Sequence, residues 1–137
     1  MTTEPVRGTR EMLSGMTPSL DTAEYVFCTT ADVALANGAS HNALAWFRED
    51  EGFSLVLEIA QARRFGFDCA LPMRRITLTV FSSLEGIGLT AAVSDALTRD
   101  GIPCNMVAAY HHDHVFVPSD KAERAMAVLI DLQAASA

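Results

Sequence analysis

The sequence has 137 residues, of which 50% are hydrophobic and 20% are charged, and its formal net charge is −7. This composition is typical of one globular domain or two very small ones, and it excludes an intrinsically disordered chain. The acidic balance argues against nucleic-acid binding, because phosphate contacts require clustered Lys and Arg. No run approaches the ~20 apolar residues of a membrane span, so we predict no membrane partner.

Cysteine usage and the N-terminal stretch indicate the compartment. The three cysteines, Cys28, Cys69 and Cys104, are an odd number without CxxC spacing, which predicts neither a zinc knuckle nor a disulfide framework. The stretch MTTEPVRGTREM lacks the apolar core of a signal peptide. We therefore expect a soluble, reduced, cytoplasmic protein.

The first half, residues 15–70, follows a polar stretch over residues 1–14 that we expect to be a flexible tail. The tail includes the start of Glu11–Met16, which can form a short helix or turn. The pattern of the first half predicts a strand at Glu24–Thr30 and then a turn-rich connection at Ala31–Ser40, which can include a brief helical turn. A hairpin of Ala43–Arg48 and Phe53–Leu57 and a short helix at Glu58–Phe65 follow. A helix from Ser54 through Arg64 is the alternative to the second hairpin strand, because periodicity alone does not separate short apolar runs.

The second half, residues 71–137, opens with a strand and a helix. Ile76, Leu78 and Val80 recur with the period of two that is typical of a half-buried strand. Apolar residues then repeat at helical spacing from Leu89 to Leu97. We predict an amphipathic helix there, joined to the strand by a glycine-rich turn.

The remainder of the second half predicts a hairpin and a last helix. Met106–Tyr110 and Val115–Val117 are apolar runs on either side of His111-His112-Asp113-His114. Asp120 and Glu123 have the spacing of a capping box for the helix that follows. Both halves thus read βαββα, most of a ferredoxin-like unit. We predict an α+β protein of two βαββα(β) halves, the first with a degenerate first helix, with antiparallel sheets and helices packed on one face.

The segments SSLEGIGLTAAVSDAL and NMVAAYHHDHVFVPSDKAERAM closely resemble small bacterial ACT-like proteins. The resemblance runs from about Gly15 to Leu132 and implies a ligand-sensing module of the kind attached to enzymes of amino-acid metabolism. Each half lacks its own final strand, so we expect strands to be shared between halves or between chains. Open sheet edges favour pairing with another copy, and we expect a homodimer.

The resemblance implies that the loop before the first helix of the second half presents backbone amides to a ligand. The loop residues are Ser82, Ser83, Leu84, Glu85, Gly86, Ile87, Gly88 and Leu89. Free N–H groups at a helix N-terminus attract a carboxylate or phosphate, and the serines add hydroxyl donors. The structural alternative is a serine cap with glycines that only form the turn. The loop has neither the GK[ST] of a P-loop nor the third glycine of a Rossmann fingerprint, and we expect no cofactor.

Four residues beyond the helix complete the predicted ligand site. Asn105 and Met106 begin the next strand, which often forms the dimer seam in ACT-like assemblies, and Asn105 can hydrogen-bond a ligand there. His112 and His114 share one face of a strand, because adjacent residues point to opposite faces. These histidines have three interpretations, which are polar packing in a hairpin turn, contact with an organic ligand and metal binding. We predict ligand contact without a metal.

No set of residues indicates catalysis. Cys104 beside a histidine is a conceivable nucleophile, but nothing in the sequence supplies the environment of a thiolate. The acidic run Glu49-Asp50-Glu51 predicts a solvated hairpin turn, and Trp46 predicts core or the floor of a ligand pocket. We therefore predict a non-enzymatic protein that binds a small molecule, an amino acid. A protein-interaction module that docks through open sheet edges is the alternative, and a metal-dependent enzyme built on the histidine run is the less favoured one.

Overall fold

A computed structural model describes residues 8–80 and 86–136. They form two compact units. The flanking unit contains the described residues up to Asp21 and from Arg74 onward, and the inserted unit is Thr22–Met73. The strands are β1 (Pro18–Thr30), β2 (Ala45–Glu49), β3 (Gly52–Glu58), β4 (Met73–Leu78), β5 (Asn105–Ala108) and β6 (Asp113–Pro118). The helices are α1 (Thr9–Gly15), α2 (Val33–Ser40), α3 (Ile59–Arg64), α4 (Leu89–Arg99) and α5 (Ala122–Ala135).

The flanking unit has the strand order β1-β4-β6-β5, to which β1 contributes its first residues. The Thr79 amide donates to the Met16 carbonyl at 2.7 Å, and the Arg74 guanidinium donates to the Asp21 carbonyl at 2.8 Å. Residues 16–21 therefore run antiparallel to β4. The final strand of this unit comes from the same chain, which confirms the prediction that strands are shared.

The core of the flanking unit lies between this sheet and α1, α4 and α5. Alternate residues of β4 and β6 point to the helices, among them the fully buried Leu78 and Val117. Each helix presents residues at helical spacing to the same cluster, as Val93 and Leu97 do from α4. The predicted amphipathic helices are confirmed, and the fold is the predicted α+β class.

Helix α1 lies within the stretch that the sequence analysis assigned to a flexible tail. Met12 and Leu13 of α1 and Met16 after it are buried in the core of the flanking unit. The Gln133 side chain also donates to the Ser14 carbonyl at 2.9 Å. The short apolar run at the end of the tail is thus ordered by burial.

The inserted unit has the strand order β2-β3-β1, with all pairs antiparallel. Leu55 and Leu57 of β3 point to α2 and α3, while Val56 points to the other face. Pairing with β1 on one side and β2 on the other fixes residues 53–57 as a strand, so the predicted hairpin is confirmed. The alternative helix from Ser54 through Arg64 is wrong, and α3 begins only at Ile59.

Two predictions about helices need correction. The stretch Ala31–Ser40 contains more than a turn-rich connection or a brief helical turn, because the regular helix α2 occupies Val33–Ser40. The Asp32 carboxylate accepts the amides of Ala34 and Leu35 at 3.0 and 3.2 Å, which caps the first turn. Asp120 forms no capping box with Glu123, since it lies in a 3-10 turn before α5. None of the helices in the described ranges is long and apolar enough to cross a membrane.

Candidate functional site

The glycine turn before α4 is described from Gly86 onward. The predicted ligand residues Ser82, Ser83, Leu84 and Glu85 lie outside the described residues. Ile87 is 80% exposed, whereas Leu89 is buried in the core of the flanking unit. The Leu89 side chain therefore anchors α4 in the core. Only the backbone of Leu89 can face the turn.

Gly88 stands at the N-cap position of α4 with φ +102°, a backbone angle that glycine adopts at little cost. The Thr9 hydroxyl of α1 donates to the Ile87 carbonyl and braces the turn from one side. A Cβ on Gly88 would come within 2.6 Å of Thr9 Oγ1. Both the backbone angle and the contact with α1 require glycine at this position.

The first turn of α4 carries backbone donors that the helix itself does not use. The earliest helical bond runs from the Ala92 amide to the Gly88 carbonyl at 2.9 Å, so the amides of Leu89, Thr90 and Ala91 precede it. The N-cap residue, Gly88, has no side chain with which to cap this end of α4. Thr90 and Ala91 are exposed residues, so the first turn of α4 lies at the protein surface.

The β5–β6 hairpin brings His112 to the end of β4 from which the turn leaves. His112 Nδ1 lies 3.4 Å from the Val80 carbonyl oxygen, and the Ala109 amide closes the hairpin by donating to the His112 carbonyl at 3.1 Å. His111 is exposed and meets the Tyr110 ring edge-on at 5.1 Å. His112 thus contacts Val80, the last described residue before the turn.

His114 lies on the face of β6 that points away from the helices. Its Nδ1 lies 3.0 Å from the Thr77 hydroxyl oxygen. Burial lowers the pKa of the His114 imidazole, and the positive charges of Arg75 and His112 lower it further, against the opposing effect of Asp113. Arg75 forms an ion pair with Asp21 at 2.9 Å. The imidazole is therefore held in its neutral form as a hydrogen-bonding group.

Replacement of His114 by glutamine is expected to reduce the acid sensitivity of the fold. Because the pKa of His114 is lower in the folded chain than its ordinary value of 6.5, the unfolded chain binds the proton first as pH falls. Stability is then lost below about pH 6.5. Urea denaturation at about pH 7 and about pH 5 should show a smaller loss for His114→Gln than for the wild type. An unchanged loss would contradict this role, and His41→Gln, an exposed position, is the control.

Asn105 and Met106 lie at the far end of the same hairpin. The register pairs Asn105 with Phe116, and Ala108 with Asp113 beside the turn. At about 3.3 Å per residue, Asn105 lies about 10 Å from Ala108. Met106 packs against the core, whereas Asn105 is exposed. Within one chain, His112 therefore lies beside Val80, which precedes the turn. Asn105 lies at the far end of the hairpin.

The described residues show no feature of a metal or nucleophile site. They contain no group of three His, Cys, Asp or Glu side chains that could hold a metal ion. Burial raises the pKa of the Cys28 thiol to about 11, and burial also raises the pKa of the Cys104 thiol. Both thiols are thus protonated near neutral pH, which disfavours them as nucleophiles.

The inserted unit contains a cavity of about 140 Å³ with Trp46 in its lining. Trp46 is 52% exposed, so of the two expectations for this residue it lines a pocket and does not lie in the core. The cavity lies between α2 and the strands β2 and β3. The sequence analysis did not predict the regular helix α2. Without this helix, no wall of the cavity is expected opposite Trp46. The acidic run after β2 is exposed at the hairpin turn, as predicted.

The two units and the glycine turn define a tandem α+β protein with ferredoxin-like units. Two family models described as ACT domain match the chain, one at residues 6–74 and the other at residues 72–131. The chain belongs to the ACT-domain family. ACT domains are typically regulatory modules that bind small molecules such as amino acids. No curated protein matched the chain.

Solved structures include similar chains. A Vibrio cholerae protein of unknown function, described as a possible transport protein, is 38% identical over 90% of this chain and 94% of its own, with a TM-score of 0.79. An Agrobacterium tumefaciens protein is 20% identical over 85% of this chain and 87% of its own, with a TM-score of 0.66. The regulatory subunit of aspartate kinase from Thermus flavus is 9% identical over 85% of this chain and 96% of its own, with a TM-score of 0.58, and shares the fold.

Proposed function

We propose that this chain is a non-enzymatic cytoplasmic regulatory protein that binds an amino acid at the turn before α4. The observation that carries the proposal is the geometry at Gly88, where a positive φ and the close approach of Thr9 require glycine at the N-cap of α4. In this proposal the amides of the first turn of α4 donate to a ligand. A carboxylate is the group that such a helix N-terminus favours.

The remaining predicted residues have defined places in this proposal. Ser82, Ser83, Leu84 and Glu85 belong to the loop that carries the turn and would enclose the ligand. His112 lies at the same end of β4 as the turn. His114 lies within hydrogen-bonding distance of Thr77 on the neighbouring strand β4. Asn105 lies about 10 Å away along the hairpin, so its contact with a ligand would come from a second copy of the chain. The proposal therefore includes a homodimer.

A carboxylate placed at position 90 is expected to compete with the ligand. Thr90→Glu puts a negative charge in the first turn of α4, where it stabilises the helix and can occupy the same donors. We expect its melting temperature without ligand to equal or exceed that of the wild type. The melting-temperature rise produced by an amino acid should fall to a small fraction of the wild-type rise.

Thermal denaturation with each of the common amino acids in turn tests both statements. A ligand at ~100 times its Kd should stabilise the wild type by roughly 2.7 kcal/mol, a shift of several degrees. Thr90→Gln, which is isosteric and neutral, is the matched control and should retain most of the shift. No shift for any amino acid, or an equal shift in Thr90→Glu, would contradict the proposed site.

A protein-interaction module is the second candidate function, and an exposed strand favours it. Within the described sheet order, β2 has a neighbour on one side only, and Phe47 on this strand is 72% exposed. Edge strands with exposed apolar residues template pairing with another chain. This candidate predicts that a partner protein co-purifies with the wild type and is lost in Phe47→Lys, with no amino acid raising the melting temperature.

A further inference from the structure

The cavity of about 140 Å³ in the inserted unit is lined by five apolar residues together with Asn37, Ser40 and Arg48. Its floor is formed by Ala36 of α2 and Leu55 of β3, which are 3% and 1% exposed. Trp46 and Phe53 form one wall, with ring centroids 6.3 Å apart and planes inclined at 58°. Aromatic side chains in this tilted arrangement offer ring faces and edges to an apolar group.

One positive charge stands at the mouth of the cavity. Arg48 lines it, with its guanidinium carbon 5.9 Å from the centre of the Phe53 ring. The lining residues include no carboxylate. The ion pairs found in the described parts of the chain use Arg75, Arg99 and Arg124. A cation stacked on an aromatic ring beside an apolar cavity favours an anionic group on a ligand.

The size of the cavity limits the ligand. A water molecule needs about 10–15 Å³ of such volume, so a cavity of about 140 Å³ accommodates on the order of ten non-hydrogen atoms. The ligand is therefore of the size of a branched or phenyl-substituted short-chain acid.

We propose that this cavity binds a small apolar monocarboxylate, with its hydrocarbon part between α2 and Trp46 and its carboxylate on Arg48. Because the lining has a cation and no anionic side chain, the cavity favours a carboxylate without an ammonium group over a zwitterionic amino acid. This site lies within the inserted unit. It is separate from the turn before α4 and does not depend on ligand binding there.

Trp46 makes occupancy of the cavity directly measurable. The chain has one tryptophan, and this residue lines the cavity. Titration of the full chain with 4-methylpentanoate should change the Trp46 fluorescence saturably. Leucine and 4-methylpentanol, which add an ammonium group or remove the charge, should each bind about tenfold more weakly or worse. Thr90→Glu, the variant at the other site, should leave this titration unchanged.

Matched variants assign the binding to the cavity. Arg48→Met should weaken 4-methylpentanoate binding about tenfold or more. Arg64→Met should have no effect, although Arg64 also stacks on a ring, that of Phe65 at 5.4 Å, because it lies outside the cavity. Asn37 is an exposed lining residue, so Asn37→Phe should fill the cavity and abolish binding while the circular dichroism spectrum stays that of a folded chain.

The outcomes separate clearly. Saturable binding that is lost in Arg48→Met and in folded Asn37→Phe supports the proposal. No fluorescence change up to millimolar concentrations overturns it, as does equal binding by Arg48→Met. Binding of leucine as tight as that of 4-methylpentanoate overturns the assigned ligand class.

Discussion

Replacing Gly52 with alanine is expected to lower the free energy of unfolding by about 2–6 kcal/mol, from backbone strain and overpacking of about 1–3 kcal/mol each. Gly52 has φ +144°, and a Cβ there would lie 2.5 Å from the Thr30 carbonyl oxygen and 3.0 Å from its carbon. These are backbone atoms at the end of β1, and Thr30 pairs with Phe53 in the β1–β3 ladder. The strand cannot retreat without losing that pairing.

Gly66→Ala is the matched control in the same unit. Gly66 has φ +79°, and a Cβ there would meet nothing within 4 Å. Alanine at this position should cost only the backbone term, about 1–2 kcal/mol. Urea denaturation of both variants measures the two values. Equal losses would show that the contact with Thr30 does not constrain the β2–β3 turn.

Gly88→Ala is expected to lower the free energy of unfolding by about 2–5 kcal/mol, from backbone strain of about 1–2 kcal/mol and overpacking of about 1–3 kcal/mol. Here the obstruction is a side chain, since Thr9 Oγ1 and Cγ2 would lie 2.6 and 2.9 Å from the new Cβ. A displaced Thr9 also loses its hydrogen bond to the Ile87 carbonyl. Chemical denaturation should therefore show a smaller loss than for Gly52→Ala, where backbone must move.

Two further variants separate the effect of backbone strain from that of the close contact with Thr9. Gly101 has φ +72° with nothing within 4 Å of a Cβ, so Gly101→Ala reports backbone strain alone at the other end of α4. Thr9→Ala combined with Gly88→Ala removes both obstructing atoms and should recover part of the loss, which a double-mutant cycle measures as a coupling between the two positions. Strict additivity would mean that Thr9 does not restrict this turn.

The same variants have a functional outcome. We expect Gly88→Ala to abolish the amino-acid-dependent rise in melting temperature, because the displaced turn no longer presents the amides of α4. Gly101→Ala should keep that rise on a lowered baseline. If Gly88→Ala responds to ligand as Gly101→Ala does, the turn is a structural feature and the ligand binds elsewhere.

Strong periodicity made much of the flanking unit predictable. Large apolar residues alternate along β4 and recur at helical spacing in α4, and these same side chains are buried. Gly66 and Gly101 follow the ends of α3 and α4, and both have the positive φ that is typical of glycine at a helix C-terminus. In these places the local pattern and the tertiary packing favour the same structure.

Helix α2 was not predictable in this way. It buries Ala36 and Ala39, which are too small to give a hydrophobic stripe, and Asn37 and Gly38 lower its helix propensity. Packing against the leucines of β3 stabilises the helix, and sequence separation hides that contact. The wall of the cavity opposite Trp46 was missed for the same reason, because it depends on how small residues of α2 face the aromatic residues of β2 and β3.

The order of residues in the two units also sets the order in which they can fold. The inserted unit is a continuous segment of the chain. All the residues that pack together within it have therefore emerged from the ribosome before the flanking unit is complete. The flanking unit joins residues far apart, such as Ser14 and Gln133, which are separated by 119 positions. Closing so long a loop is slow and costs entropy before contacts reward it. We expect the inserted unit to fold before α5 has been synthesised and the flanking unit only after α5 has been synthesised.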